Sequence, residues 1–189
     1  MGVVVSPMET IQENSINKTS EAQTYLGQCH FYGHHTRINV IQAANFYELA
    51  ASQGYFKAQV LLGECYEHGM GRPINWKQAV HLYKLASDQA CPIAQCKLGE
   101  CYEKGLLGLK KDLGEAIKFY KLAINQGNLE AQYLLGMIYL SNVKYNTEDI
   151  IFKLATDKAC RQAVHLLEMS AKQGHSKAAH ELGKMKNVF

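Results

Sequence analysis

The chain has 189 residues, enough for one packed domain, and it is 47% hydrophobic and 20% charged, which excludes a disordered or fibrous protein. Twenty Lys and Arg face 17 Asp and Glu, a formal charge of +3, and no basic run exceeds Lys110-Lys111. Nucleic acid is therefore not an expected partner. No window approaches the roughly 18 to 20 apolar residues of a membrane span, and no basic-then-apolar order marks a signal peptide. A membrane is not an expected partner either, and the expected location is the cytoplasm, or a host's cytoplasm if the protein is an exported effector.

Residues 1–19 read as a flexible leader. Its opening, Met1-Gly2-Val3-Val4-Val5-Ser6, fits the short pattern for N-myristoylation. That match supports one alternative reading, a lipid-anchored, membrane-associated regulator. Pro7 and the absence of a following polybasic stretch count against it.

From residue 20 the chain repeats itself. Ala-Gln-x-x-Leu-Gly-x-x-[Tyr/His] occurs at 22–30, 58–66, 94–102 and 131–139. The glycines Gly27, Gly63, Gly99 and Gly136 are spaced by 36, 36 and 37, and Gly183 follows 47 later in a partial fifth copy. Each first segment is followed by a second carrying Ala-x-x-x-Tyr: Ala43 with Tyr47, Ala79 with Tyr83, Ala116 with Tyr120, and a variant, Ala163 with Leu167. Apolar residues three or four apart in both segments predict amphipathic helices. Asn39, Asn75 and Asp112 stand where an N-cap is needed, with Ser20 and Ser176 in the same role for their own helices. Gly54, Gly127 and Gly174 stop the second helices as left-handed C-caps. Ala90 takes that place once, with Pro92 behind it to open the next helix. Cys29, Cys65 and Cys101 recur at one repeat position, as small buried packing residues do, which predicts reduced thiols.

The strings Leu-Gly-Glu-Cys-Tyr-Glu-x-Gly and Ala-x-x-x-Tyr-Lys-Leu-Ala, in the units Ala58 to Ala90 and Ala94 to Gly127, resemble Sel-1-like repeats, relatives of the tetratricopeptide repeat. The period of 36 separates them from tetratricopeptide units of about 34 residues. The resemblance implies an all-α fold, a right-handed α/α superhelical solenoid of about four and a half helix-turn-helix repeats. The solenoid would fill residues 20–189, with repeats at about 20–55, 56–91, 92–128 and 129–175 and a C-terminal capping helix at 176–187. In the fourth repeat Asn142 replaces the loop glycine of Gly33, Gly69 and Gly105, and about ten additional residues lie within 143–158. Thr147, Glu148 and Asp149 followed by Ile150, Ile151, Leu154 and Ala155 predict an inserted helix near 147–158, more a shield for the end of the core than a docking element.

Glu64, Glu67, Glu100 and Glu103 form the candidate site. Each pair is spaced by three on a first helix and the pairs lie 36 apart, so stacking brings all four together. The resemblance places first helices on the concave side, where such a patch would bind basic side chains of a partner. The competing reading is a solvated face partly neutralised by Lys97 and Lys104. His30, His34, His35 and His68 lack the paired-ligand spacing of a zinc site. The recurrent Gln23, Gln59, Gln95 and Gln132 read as repeat packing before a ligand-binding ladder. Tyr25, Phe31, Tyr32, Phe46, Tyr55 and Phe56 crowd the first repeat, mostly as core. No phosphate loop, metalloprotease helix or nucleophile motif is present, so no catalytic, cofactor or metal residue is expected.

Taken together, these features predict a non-catalytic adaptor or scaffold that binds a partner protein or peptide, possibly basic, on its concave face or repeat loops. A further alternative comes through the resemblance: some cysteine-rich relatives bind and hydrolyse β-lactams. They pair cysteines in every repeat, a pattern this chain lacks.

Overall fold

The computed structural model describes residues 19–141 and 158–186. Residues 1–18 of the leader, residues 142–157 with all but the last residue of the insertion and its expected helix, and residues 187–189 fall outside the described residues. Among the described residues there are nine helices and no strand. The fold is all-α, and within each of two units neighbouring helices pack as in an α-solenoid. Packing divides the chain into two compact units, the first ending at Lys111 and the second starting at Asp112.

The first unit holds α1 (Ser20–Tyr32), α2 (Val40–Ser52), α3 (Phe56–His68), α4 (Trp76–Asp88) and α5 (Pro92–Lys104). Their ends follow from local chemistry. Asn39 and Asn75 accept hydrogen bonds from the amides of Gln42 and Gln78, both at 3.1 Å, and so cap α2 and α4. The first helices α1, α3 and α5 end at the left-handed glycines Gly33, Gly69 and Gly105, whose amides reach back to the carbonyls of Cys29, Cys65 and Cys101. Pro92 sits in the first turn of α5, where a missing N–H costs nothing, and Ala90 before it is held at φ +61. For α1 the cap is Thr19, whose hydroxyl accepts from the Ala22 amide at 3.3 Å, and Ser20 is already helical.

Small residues bring α1 and α2, and α3 and α4, together. A Cβ on Gly63 would lie 2.6 Å from Cε1 of Tyr83, and one on Gly27 would lie 2.4 Å from Cε1 of Tyr47. The tyrosine rings occupy the space that the glycines vacate, and both are buried. Ala43, Ala44, Tyr47, Leu62, Cys65 and Leu82 form one continuous core. Polar ties join the same elements. Gln53 donates from Nε2 to Gln23 Oε1 at 2.7 Å, and Gln89 donates to Gln59 Oε1 at 2.9 Å. Gln23 and Gln59 therefore serve the packing of their own repeats. Arg72 links adjacent repeats by donating to Asn45 Oδ1 and Glu48 Oε2, each at 2.7 Å.

The second unit holds α6 (Leu113–Ile124), α7 (Leu129–Ser141), α8 (Lys158–Lys172) and α9 (Ser176–Lys186). Asp112 caps α6 by accepting from the Glu115 amide at 3.0 Å, and Asn128 accepts from Ala131 at 2.8 Å. Ser176 is helical, and the capping acceptor is His175, whose Nδ1 accepts from the Ala178 amide at 3.2 Å. The opposite ring nitrogen of His175 lies 2.7 Å from Glu130 Oε2, tying α9 to α7. Leu140, Cys160, Ala163, Leu167 and Ala178 make the core of this unit. Here Leu167 replaces the repeat tyrosine and packs over Gly136.

Candidate functional site

Helices α3 and α5 are the first helices of two consecutive repeats, and each carries its two glutamates beside a buried cysteine. On α3, Cys65 is 1% exposed, and on α5, Cys101 is 3% exposed. Glu64, Glu67, Glu100 and Glu103 are all partly exposed. The structure brings the first three together around one cation. Lys97 of α5 reaches across to α3 and places Nζ 3.3 Å from Glu64 Oε1. Burial of Lys97 works against its charge, but Glu64, Glu67 and Glu100 outweigh that and raise its pKa above the usual lysine value. Lys97 is thus the centre of the cluster rather than an incidental counter-charge.

Glu67 has a second task. The Tyr83 hydroxyl donates to its Oε2 at 2.6 Å, so the carboxylate closes the outer end of the tyrosine packed on Gly63. Burial, and then this hydrogen bond to a carboxylate, push the Tyr83 pKa well above the ordinary phenol value. Glu100 pairs within its own helix, with Lys104 Nζ at 3.0 Å from Oε2. Glu103 lies three residues beyond Glu100 on α5 and has contacts of its own. Four carboxylates against Lys97 and Lys104 leave this face with a net charge of −2 (4 minus 2).

The cluster is a set of carboxylates partly neutralised by two lysines, with two buried thiols close by. The nearest nucleophiles are silenced. Cys65 is raised to about 11 by burial and by Glu64, and Cys101 to about 12 by burial and by Glu67 and Glu100. Protonated thiols of this kind are poor nucleophiles at neutral pH. All six cysteines are free and buried, so the hairpin disulfides of the cysteine-rich relatives are not formed. Among the described residues no group of three His, Cys, Asp or Glu side chains could hold a metal ion. None of the described helices is long and apolar enough to cross a membrane. Of the aromatic residues of the first repeat, Tyr25 and Tyr32 stand well exposed, while Phe31, Phe46, Tyr55 and Phe56 are partly covered.

The role of Tyr83 at this face had no sequence signal, since its recurrence with Tyr47 and Tyr120 reports ring packing and says nothing of where the hydroxyl emerges. Lys97 carried a partial one, its place one turn before Glu100.

Comparison with known proteins adds the following. A sequence model of the Sel1 repeat matches residues 20–55, 56–91, 92–128, 129–142 and 155–175. Among solved structures, the chain is similar to a protective antigen present in uropathogenic Escherichia coli strains that displays an SLR fold. That match has a TM-score of 0.78 and 30% identity, and covers 96% of this chain. The chain spans 36% of that antigen's length. It is also similar in fold to a Sel1 repeat protein from Oxalobacter formigenes, with a TM-score of 0.69, 21% identity, and coverage of 94% of this chain and 82% of that one. Among curated proteins no significant match is found.

Proposed function

Since this chain belongs to the Sel1 repeat family, whose members generally serve as protein-interaction scaffolds, we propose that it is a non-catalytic adaptor that docks a basic segment of a partner protein on the face formed by Glu64, Glu67, Glu100 and Glu103. The observation that carries this reading is the gathering of three carboxylates around the partly buried ammonium of Lys97. Lys97 holds the carboxylates in place before any partner arrives, and it leaves an excess of negative charge to steer lysines and arginines toward the face. Preorganised charge of this kind gives specificity and fast association more than raw affinity, and the binding it supports weakens with salt. The free thiols fit a reducing compartment, and we place the adaptor in the cytoplasm on that ground.

A titration tests this. The probe is the peptide acetyl-Lys-Arg-Leu-Lys-Arg-amide, measured calorimetrically at low ionic strength against the wild type and a variant carrying Glu64→Gln, Glu67→Gln, Glu100→Gln and Glu103→Gln. Glutamine keeps an acceptor for the Tyr83 hydroxyl, so helix content by circular dichroism should match the wild type. Affinity should fall about tenfold or more in the variant. Equal affinities in two equally folded proteins would remove the site from this face.

A further inference from the structure

An open groove lies in the first unit and shares no residue with the glutamates. It has a volume of about 650 Å³ where the start of α4 meets the loop after α5, within the range of roughly 300 to 1,000 Å³ typical of ligand pockets. Ile74, Trp76, Val80, Leu107 and Leu109 supply apolar walls, and Lys77 supplies a cation. Ile74 and Trp76 are 60% and 54% exposed, a large apolar surface to leave in water.

The backbone of the loop points the same way. Two residues beyond the C-cap glycines Gly33, Gly69 and Gly105, three successive loops adopt the left-handed conformation: His35 at φ +58, Gly71 at φ +69 and Leu107 at φ +53. At Gly71 a Cβ would fall 2.1 Å from the Val40 carbonyl oxygen, so glycine is required there. Leu107 holds the same conformation with a bulky side chain, at a conformational cost that glycine would not incur, and that side chain lines the cavity. The turn itself belongs to the repeat, and in this loop it sets a bulky apolar side chain in the groove wall.

Charge defines the occupant. Lys77 lines the cavity, exposed Lys110 and Lys111 follow Leu109 in the chain, and none of the three has a carboxylate partner among the described residues. No acidic side chain lines the walls. We propose that this groove is a second docking site, which takes a bulky apolar side chain flanked by carboxylates from a partner protein. The adaptor then has two faces of opposite preference, basic segments on the glutamates of α3 and α5 and acidic, apolar segments at Trp76. Tryptophan in a partly desolvated pocket is a frequent binding hot spot.

Trp76 is the one tryptophan of the chain, and its emission reports this groove alone. The full chain is titrated with acetyl-Asp-Glu-Leu-Phe-Glu-Asp-amide and with the same peptide bearing lysine in place of each acid. The acidic peptide should produce a saturable blue shift, with the basic one at least about tenfold weaker. Lys77→Glu should weaken the acidic peptide by a similar factor. Leu107→Gly should weaken it while leaving the melting temperature unchanged or higher, a split that a purely structural role for Leu107 would not produce. The four-fold Glu→Gln variant should bind the acidic peptide like the wild type, whether or not the glutamate face binds basic peptides. Absence of a saturable shift, equal response to both peptides, or full binding by Leu107→Gly would overturn the proposal. So would a change in Trp76 emission on deleting residues 1–18, or on dilution without peptide, since the groove would then belong to the chain's own leader or to a second copy.

Discussion

The same repeat register serves opposite purposes in the two units. One and four residues after the first-helix glycine, α3 carries Glu64 and Glu67 and α5 carries Glu100 and Glu103, all partly exposed. At those positions α7 carries Met137 and Leu140. Leu140 is 3% exposed in a core with Cys160, Ala163, Leu167 and Ala178, and Met137 packs against it. A repeat therefore fixes where a side chain points, and the neighbouring element decides whether that direction means solvent or core. The glycine shows the same dependence. Gly63 is covered by the Tyr83 ring, Gly136 by Leu167 at 3.1 Å from an added Cβ, and Gly183 by nothing within 4 Å.

Exchanging the residues across this comparison breaks it most strongly. Leu140→Glu copies the residue of α3 and α5 into a buried apolar core position, and it should cost about 3 to 5 kcal/mol in a denaturant titration. Retention of wild-type stability would mean that the α7 face is open like that of α3. The glycines sharpen the comparison with smaller effects of opposite sign. Gly63→Ala forces a methyl group against a tyrosine that is 0% exposed and has nowhere to move. Even with the gain in helix propensity it should cost about 2 kcal/mol, a loss of roughly 4 to 8 °C in melting temperature. Gly183→Ala meets open space and should stabilise by about 0.5 to 1 kcal/mol, through propensity alone. If both alanines shift the melt in the same direction, the ring-on-glycine packing is not what distinguishes the two positions.

Much of the backbone was legible in the residues because it rests on local chemistry. Asn39, Asn75 and Asp112 cap their helices as their short acceptors require, and the left-handed positions fall at Gly54, Gly127, Gly174 and Ala90. The recurring cysteines are buried. Two caps differed by one residue. At the start of α1, Thr19 and Ser20 are both competent acceptors and only the backbone decides between them. At α9 the cap is an imidazole nitrogen, outside the usual Ser, Thr, Asp and Asn preference.

The sites were less legible, for a physical reason. Which glutamate Lys97 meets depends on how α5 stacks on α3, and the Tyr83–Glu67 bond depends on where a buried ring ends. Neither is set by spacing along one helix. The groove at Trp76 had no periodic signal at all, since it joins the start of one helix to the loop after the next and depends on the left-handed backbone of Leu107.

On this reading, partner binding belongs to the charged first-helix face of α3 and α5 and is absent from the covered face of α7. Amide chemical-shift mapping of the ¹⁵N-labelled chain with the basic peptide tests it directly. Perturbations should concentrate at Glu64 to His68 and Lys97 to Lys104, with residues 129–141 and 158–172 unmoved. Shifts centred on α7 and α8, with α3 and α5 silent, would contradict it.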